Sequence, residues 1–376
     1  MTEPLPPEAL PALAQQVLWA AFALACVFGA VAQKIGFCTM GAVADWVNFG
    51  DTTRMRQWLL AIATAVAGTQ LLAAVGLIDT TDAIYTGPRL TWLAYVVGGL
   101  CFGFGMVLAG GCGSRTLVRI GGGSLKALVV FLALGLSAYV TMRGVLALVR
   151  AGVLEPLALE LRPTQDLPAQ LARRSALPAA AAHAALGLLL AAAVAVWVMR
   201  DAAFRTTENV LGSVALGAVV TGVWFVSGHL GHLREHPLTL EEAYLATASG
   251  RMESLTFVAP IAHTLDWLMF ASDRSKAVTL GIATVTGTVI GSALVALVTR
   301  RFRWEGFANT EDTANHLVGG VLMGFGGVTA MGCTIGQGIS GISTLALGSF
   351  VAFGAIVAGA IFGVKYQAWR VSRSAR

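Results

Sequence analysis

The sequence has few charged residues. Asp, Glu, Lys and Arg together make up 12% of the 376 residues, whereas a soluble domain usually carries about 25%. Hydrophobic residues account for 56% of the chain. This composition excludes an ordinary soluble globular protein and indicates a chain that lies mostly within a lipid bilayer.

Several patterns of enzymes and nucleic-acid-binding proteins are also missing. The chain has no Walker-type phosphate loop, no GxSxG with triad partners and no HExxH, so ATP hydrolysis and hydrolase chemistry have no support. The net charge of +5 comes from scattered basic residues without runs or interleaved aromatics. We therefore expect no nucleic-acid partner. The histidines of HLGHLREH, at 229, 232 and 236, could bind zinc, but Pro237 ends any helix there, so we expect a solvated loop, no metal ion and no other cofactor.

Cysteine is scarce too. The chain contains Cys26, Cys38, Cys101, Cys112 and Cys333, which form no CxxC pair. An odd number of cysteines in mostly apolar surroundings argues against a disulfide framework. These thiols are therefore expected to stay unpaired and to serve either in packing or at a functional site.

Long apolar runs are abundant instead. A run of about 20 apolar residues is enough to cross the core of a bilayer. The segment before the first run is acidic, so that run is predicted to be a retained helix and not a signal peptide. The sequence predicts an all-α polytopic membrane protein with about nine spanning segments, at 13–33, 56–78, 91–121, 124–149, 178–199, 209–228, 276–299, 314–341 and 344–364.

The chain contains an internal repeat. GGLCFGFGMVLAGGCG and GGVLMGFGGVTAMGCT superimpose after a shift of 221 positions, which places Cys112 on Cys333. The same shift places Asp45 of ADWVNF on Asp266 of LDWLMF. A single shift that aligns two separated motifs indicates a tandem duplication. The predicted parts of this one membrane domain are repeat 1 (1–150), a linker with one unpaired helix (151–205) and repeat 2 (206–376).

The charges of the loops predict that the repeats are inverted. The segment Asp79–Arg89 has one basic residue, whereas its repeat partner Arg300–Asp312 opens with three arginines in four positions. Lys and Arg are enriched in cytoplasmic loops. Each repeat has four spanning segments, and the single extra helix between them reverses the second repeat. The N-terminus is therefore predicted outside and the basic C-terminus in the cytoplasm.

Two apolar segments are too short to span. Gly36–Phe49 and Thr256–Phe270 hold about 14 residues each, a length that suits re-entrant half-helices. They lie at matching places in the two repeats. Paired, interrupted segments of this kind point to a transport site.

Glycine-rich breaks interrupt the two repeated motifs. The segments Leu108–Thr116 and Ala330–Thr344 cannot continue as good helices. Ser114, Thr334 and Ser340 are predicted to cap the short helices that follow. A helix that starts at mid-membrane directs free N–H groups and a partial positive charge at the break. The two breaks therefore predict a narrow, electropositive waist that favours an anion.

Three cysteines are candidate binding residues. Cys112 and Cys333 stand at the duplicated breaks, and Cys38 stands in the first re-entrant segment. A thiol is a weak donor and a soft, polarizable group, which suits an anion that contains a large sulfur atom. Weak donors also allow a pore to bind without trapping. Cys26 and Cys101 lie inside helical runs and are predicted to be packing residues.

Other residues at the breaks are predicted to support the pathway. Arg115 either attracts the anion or extends toward the interface. Asp45 and Asp266 are ionisable groups in re-entrant segments, and we expect them to hold loop backbone N–H groups in place. The supporting residues are Gly110, Gly111, Gly113, Ser114, Arg115, Gly332, Thr334 and Gln337.

Two other classes of function remain possible from the residues alone. A membrane sulfurtransferase or redox enzyme would use Cys112 or Cys333 as a nucleophile, but such a nucleophile needs a nearby base. No His or Lys lies close in sequence to either cysteine. A channel for water or a neutral solute is compatible with half-helices, but thiols are poor ligands for water.

Three motifs resemble the YeeE/YedE family of bacterial thiosulfate transporters: GFCTMGAVADW, GGLCFGFGMVLAGGCGSRTLVR and GGVLMGFGGVTAMGCTIGQGISG. The resemblance covers both repeats. It implies an hourglass-shaped inner-membrane protein of inverted repeats, in which thiosulfate passes between the thiols of Cys38, Cys112 and Cys333.

The resemblance also suggests partners and alternatives. Many members of the family act beside a small cytoplasmic sulfurtransferase of the TusA type, and some look linked to selenium metabolism. Composition does not distinguish thiosulfate from a related sulfur or selenium anion. The loops at 151–177 and 231–254 are longer than a minimal transporter needs, and the sequence leaves their role open.

Overall fold

Helices make up almost all of the regular structure, so the predicted all-α fold class is confirmed. The computed structural model describes residues 6–162, 164–174, 178–273 and 276–374. Within them the strands form two antiparallel pairs, β1 with β2 and β3 with β4. Each strand has two residues: Arg89–Leu90 (β1), Leu159–Glu160 (β2), His232–Leu233 (β3) and Ala243–Tyr244 (β4).

The helices fall into two groups separated by a short linker region. The first group contains Leu10–Ile35 (α1), Thr39–Phe49 (α2), Thr53–Ala74 (α3), Trp92–Leu108 (α4), Gly113–Gly121 (α5) and Leu125–Arg143 (α6). The linker contains Val145–Val149 (α7), Leu167–Arg174 (α8) and Ala179–Met199 (α9). The second group contains Thr207–Phe225 (α10), Ala259–Met269 (α11), Leu280–Val298 (α12), Thr310–Thr329 (α13) and Leu347–Ser374 (α14).

Shorter helical pieces complete the chain. Residues 334–343 form one more short helix between α13 and α14, and most of it is the π-helical segment Gly336–Gly341. The remaining turns are 3₁₀ or π-helical: Pro7–Ala9, Thr80–Asp82, Arg150–Leu154 and Val226–Leu230.

Most of the predicted spans coincide with helices that can cross a membrane. Among the described residues, eight helical segments are long and apolar enough to do so. They account for every predicted span except 314–341, which falls on α13 and the 334–343 helix. The N-terminal part of α13 reads TEDTANH, and these polar residues lower its mean hydropathy. The protein is a multi-pass membrane protein.

The order of long and short helices occurs twice. The first group reads long, short, long, long, short, long, from α1 to α6. The second group reads the same way, as α10, α11, α12, α13, the 334–343 helix and α14. The short helices α2, α5, α11 and 334–343, called here the half-helices, have 9 to 11 residues. They include the segments that the sequence predicts to be re-entrant.

Corresponding helices pack crosswise between the two groups. Helix α4 packs on α14, and its counterpart α13 packs on α6. In the same manner α1 packs on α12, and α10 packs on α3. The linker helix α9 lies against α3. The two groups therefore interlock, and neither group buries its apolar faces alone.

Helices α4 and α13 cross closely at glycines and run antiparallel. A Cβ atom at Gly98 would lie 2.7 Å from the carbonyl oxygen of Gly326, and one at Gly105 would lie 2.8 Å from that of Gly319. Glycine allows two helix backbones to approach this closely. Since the later residue of one helix meets the earlier residue of the other, these repeat-related helices point in opposite directions.

The two long loops both pack against the 79–89 segment. The hydroxyl of Tyr244 donates to Asp82 at 2.9 Å, and the amide of Gln165 donates to the carbonyl oxygen of Gly87 at 2.7 Å. The backbone N–H of Gly348, at the start of α14, donates to the same Gln165. The 151–177 loop is thus joined to the start of α14, and both loops whose role the sequence leaves open contact the 79–89 segment.

Candidate functional site

Each of the three candidate cysteines stands immediately before a half-helix. Cys38 precedes α2 and its Sγ accepts the backbone N–H of Gly41 at 3.4 Å. Cys333 precedes the 334–343 helix and accepts the N–H of Gly336 at the same distance. Cys112 precedes α5 with an extended backbone. The cysteines themselves are therefore the residues at which the half-helices begin.

The predicted capping residues were wrong. Ser114 is the second residue of α5, and Thr334 and Ser340 lie inside the 334–343 helix. Ser and Thr are commoner helix caps than Cys, which is why the sequence favoured them. Ser114 instead lies beside the cysteine, with its Oγ 3.3 Å from the Sγ of Cys112.

The N-terminal ends of all four half-helices meet. The Oγ1 of Thr39, the first residue of α2, lies 3.9 Å from the Sγ of Cys112. A Cβ atom at Gly113 would lie 3.6 Å from the Cβ of Phe257, two residues before α11. The backbone of Phe257 also interacts with the thiol of Cys333. The structure thus joins α2, α5, α11 and the 334–343 helix at one centre.

This centre lies at the middle of the membrane-spanning bundle. A Cβ atom at Gly113 would lie 3.9 Å from a methyl group of Leu134, which is halfway along α6. Cys112 and Cys333 are fully buried, and Cys38 is nearly so. Thr39, next to Cys38, approaches the Cys112 thiol, and Phe257 lies against both Gly113 and Cys333. The three cysteines that the sequence singled out are therefore brought to one centre.

The same backbone turn forms both chain breaks. Gly110 has φ +70° and its repeat partner Met331 has φ +55°. In each break the next residue, Gly111 or Gly332, donates its N–H to the carbonyl five residues earlier, at 2.9 and 2.8 Å. A left-handed Met is strained, since this region favours glycine. The duplication has therefore kept the turn even where the glycine is absent.

Arg115 places a cation beside the thiols. Its Nη1 is buried and has no hydrogen-bond partner among the described residues, and its charge interacts with Cys38. A Cβ atom at Gly111 would lie 2.8 Å from the Cγ of Arg115, so this glycine makes room for the side chain. Arg115 as a whole is half-buried, and a buried donor of a charged group without a partner is unfavourable. The centre is therefore suited to an anion.

Two more side chains from the second break lie at the centre. The amide of Gln337 donates to the carbonyl of Ala330 at 2.6 Å and so ties the two sides of the break together. A Cβ atom at Gly332 would lie 3.0 Å from the Cγ of Gln337. The Oγ1 of Thr334 is buried without a hydrogen-bond partner among the described residues, which leaves a hydroxyl free for a ligand.

Asp45 and Asp266 lie away from the thiols and hold the half-helices in place. Asp45 forms an ion pair with Arg54 at 3.3 Å, and Asp266 forms one with Lys276 at 2.6 Å. Both partners lie just beyond the half-helix that carries the aspartate. Each pair therefore fixes the end of a half-helix to the segment that follows it.

Sequence reasoning missed Tyr85. This residue is 2% exposed and interacts with Cys333. A Cβ atom at Gly336 would lie 3.0 Å from the hydroxyl oxygen of Tyr85. Tyr85 belongs to a loop outside the repeated motifs, so no spacing or periodicity in the sequence points to it.

The centre offers helix N–H groups, thiols, hydroxyls and one guanidinium, all of which favour a bound anion. Clusters of three or more His, Cys, Asp or Glu that suit a metal ion do not occur in the part of the chain that the structure describes. The groups at the centre are suited to holding an anion.

Known proteins with similar sequences agree with this chemistry. The sequence model of a family described as sulphur transport matches residues 35–362. The chain is 29% identical over 322 residues to the thiosulfate transporter TsuA of Escherichia coli K12, covering 83% of this chain and 84% of that protein. It is 28% identical over 350 residues to the thiosulfate transporter TsuA of Spirochaeta thermophila, covering 89% and 94%.

The family description and the names of these relatives indicate a transporter and not an enzyme. The match includes all three cysteines and every half-helix. The chain belongs to the sulphur transport family.

Proposed function

We propose that the protein takes up thiosulfate across the bacterial inner membrane and binds the anion where the four half-helices meet. The observation that carries this proposal is the placement of three buried cysteines at the N-terminal ends of half-helices. The names of two relatives that span most of the chain support the choice of thiosulfate.

Thiosulfate combines two features that the centre accommodates. Its double negative charge is favoured by helix N-terminal ends and by the guanidinium of Arg115. Its terminal sulfur is large and polarizable, and a thiol is a soft, weak partner for such an atom. A related sulfur or selenium anion of the same charge is the alternative substrate.

The anion is proposed to move from thiol to thiol. Cys112 is the proposed middle position, because Thr39 next to Cys38 approaches its thiol and Phe257 lies against both the Cys112 break and Cys333. The cysteines are supported by Gln337, Thr334 and Ser114. The positive charge of Arg115 attracts the anion to the centre. Because thiols bind weakly, each step leaves the anion free to continue.

The proposed topology is inverted and hourglass-shaped, with the N-terminus outside and the C-terminus in the cytoplasm. The antiparallel crossing of α4 and α13 at their glycines supports inverted repeats at 1–150 and 206–376. Helix α9, in the 151–205 linker, supplies the extra crossing that reverses the second repeat.

A small cytoplasmic TusA-type sulfurtransferase is proposed as a partner on the inner face. In this topology the end of α14 lies in the cytoplasm, where Trp369 and Val371 are exposed. The side chain of Arg373 lies over the ring of Trp369. This mixture of apolar and basic groups suits a soluble protein that would receive the imported sulfur.

Uptake into proteoliposomes tests the proposed function. Purified protein is reconstituted and supplied with ³⁵S-labelled thiosulfate, with protein-free liposomes as the control. We expect saturable uptake that unlabelled thiosulfate suppresses and that an equal concentration of sulfate does not. Uptake no faster than in protein-free liposomes, or equal uptake of sulfate, would refute the proposal.

A further inference from the structure

A second polar space lies beside the Cys112 break. Gly110 has no side chain, and a Cβ atom there would lie 3.3 Å from the Nη1 of Arg119 and 3.8 Å from the Nε2 of His316. These two side chains come from α5 and α13. The space is two residues from Cys112 and lies on the side of the 300–312 loop. It is called here the Gly110 niche, defined by Gly110, Arg119 and His316.

His316 directs a ring nitrogen into this niche. The residue is 6% exposed, and its Nδ1 lies 2.8 Å from the carbonyl oxygen of Asp312 and 3.0 Å from the Oδ1 of the same residue. Nδ1 must therefore carry the proton in the neutral ring, which leaves Nε2 without one. Nε2 is buried and has no hydrogen-bond partner among the residues described. Phe307 packs edge-on against the ring.

A network of charges holds the niche in place. The Nη2 of Arg119 pairs with Glu305 at 3.2 Å, which leaves Nη1 on the niche side. Lys126 of α6 lies 2.8 Å from Asp312 and 3.7 Å from Glu305. The charged groups around His316 are therefore Asp312 on its own helix, Arg119 on α5, Lys126 on α6 and Glu305 on the loop.

The repeat-related position in the second half is built differently. There Gly110 is replaced by Met331 and His316 by Tyr95, under the same shift of 221 positions. The hydroxyl of Tyr95 donates to the sulfur of Met331 at 3.5 Å. The second half thus fills the position with a methionine side chain, whereas the first half keeps it open and lines it with a cation. The backbone turn is the same in both halves. It therefore requires neither the filled position of the second half nor the open position of the first.

We infer that the Gly110 niche is a release site for the transported anion on the side of the 300–312 loop. This inference rests on the proposed thiosulfate transport. The anion leaves the thiol of Cys112 and accepts hydrogen bonds from the Nη1 of Arg119 and from a protonated Nε2 of His316. From this position it passes into the cytoplasm.

The half-saturating thiosulfate concentration, measured separately on each face of oriented proteoliposomes, tests this inference. Arg119→Gln and His316→Gln should raise this concentration about fivefold on the loop face, because each removes one charge-assisted hydrogen bond. The value on the opposite face should stay unchanged. Gly110→Met copies the filled second half and should have the same effect. Arg301→Gln removes an exposed charge from the same loop and serves as the matched control.

An unchanged opposite face shows that each variant is folded. Equal shifts on both faces, or wild-type values in all three variants, would overturn the release site while leaving the transport function intact. A wild-type protein without thiosulfate uptake would instead overturn the proposed function, and this inference with it.

Discussion

Cysteine is an uncommon residue at the N-terminal end of a helix, yet it precedes three of the four half-helices. Ser, Thr, Asp and Asn cap helices more strongly than other side chains. At Cys38 and Cys333 a thiol accepts the N–H three residues ahead at 3.4 Å, a weak replacement for a hydroxyl. Helix stability therefore does not explain these residues. The proposed binding of a soft anion explains them, because a thiol at the N-terminal end of a helix can donate weakly to it.

Cys112→Ala and Cys333→Ala should abolish thiosulfate uptake while the protein still inserts and folds, because an alanine cannot donate to the anion. The serine variants should retain part of the activity, since a hydroxyl still donates. The measurement is initial uptake in proteoliposomes at equal amounts of folded protein. Cys101→Ala is the matched control, because Cys101 lies within α4 and is only half-buried. Near-normal uptake by either alanine variant would disprove the relay.

The buried carboxyl of Glu253 is expected to make the free energy of unfolding depend on pH. This residue lies in the 231–256 loop, outside the spanning segments, and is 8% exposed. Its carboxyl accepts the N–H of Ser249 at 2.8 Å, but burial is the larger effect and raises the pKa of Glu253 above its usual value. The folded state therefore holds the proton more tightly than the unfolded state does.

The sign of the effect follows from that shift. The contribution of Glu253 to stability is fully present below the unfolded pKa of about 4.3. It is lost as pH rises toward the raised pKa of the folded state. Glu253→Gln should flatten this dependence and raise the thermal unfolding temperature at neutral pH. The check is thermal unfolding in detergent at several pH values, and an unfolding temperature that falls in the variant at neutral pH would contradict the assignment.

At the scale of elements, the sequence predicted the half-helices better than their ends. The two apolar segments of about 14 residues contain α2 and α11, because length alone excludes a full span. The exact start of each half-helix depends on backbone turns, and these are set by packing at the centre. Met331 is an example, because its backbone is left-handed although methionine rarely adopts that conformation.

Close helix crossing predicts which glycines are essential. Gly98→Val and Gly105→Val should destabilise the protein by about 1–3 kcal/mol or more, because the new side chain would meet backbone atoms of α13 at less than 3 Å. Gly354→Val on α14 is the matched control, since nothing lies within 4 Å of its Cβ position. Thermal unfolding in detergent measures the difference. Equal stability of Gly98→Val and Gly354→Val would refute the tight crossing.

At the scale of the whole molecule, the two loops related by the repeat should lie on opposite sides of the membrane. Single cysteines placed in Asp79–Arg89 and in Arg300–Asp312, in a protein without other reactive thiols, can be labelled with an impermeant reagent in intact cells. The first loop should react, and the second should react only after the cells are opened. Reaction of both loops from the same side would rule out inverted repeats.

The sequence carried the broad architecture, Cys112 and Cys333 because the duplication is visible as a fixed shift. Cys38 has Ala259 as its repeat partner, so it was singled out by its re-entrant segment and by the family resemblance instead. No cysteine marks the start of α11, and the sequence did not point to Phe257. It also missed Tyr85 and the packing of the long loops on the 79–89 segment, because these depend on contacts between distant segments. The internal repeat shows which helices correspond to each other, whereas the contacts between helices are seen only in the folded structure.

A structure determined in the presence of thiosulfate tests the central claim most directly. The account predicts one anion at the centre of the bundle, within hydrogen-bond distance of the Cys112 thiol and near the N-terminal ends of the four half-helices. Sulfate at the same concentration should leave that position empty. Thiosulfate bound only elsewhere, in a protein that still transports it, would contradict the account.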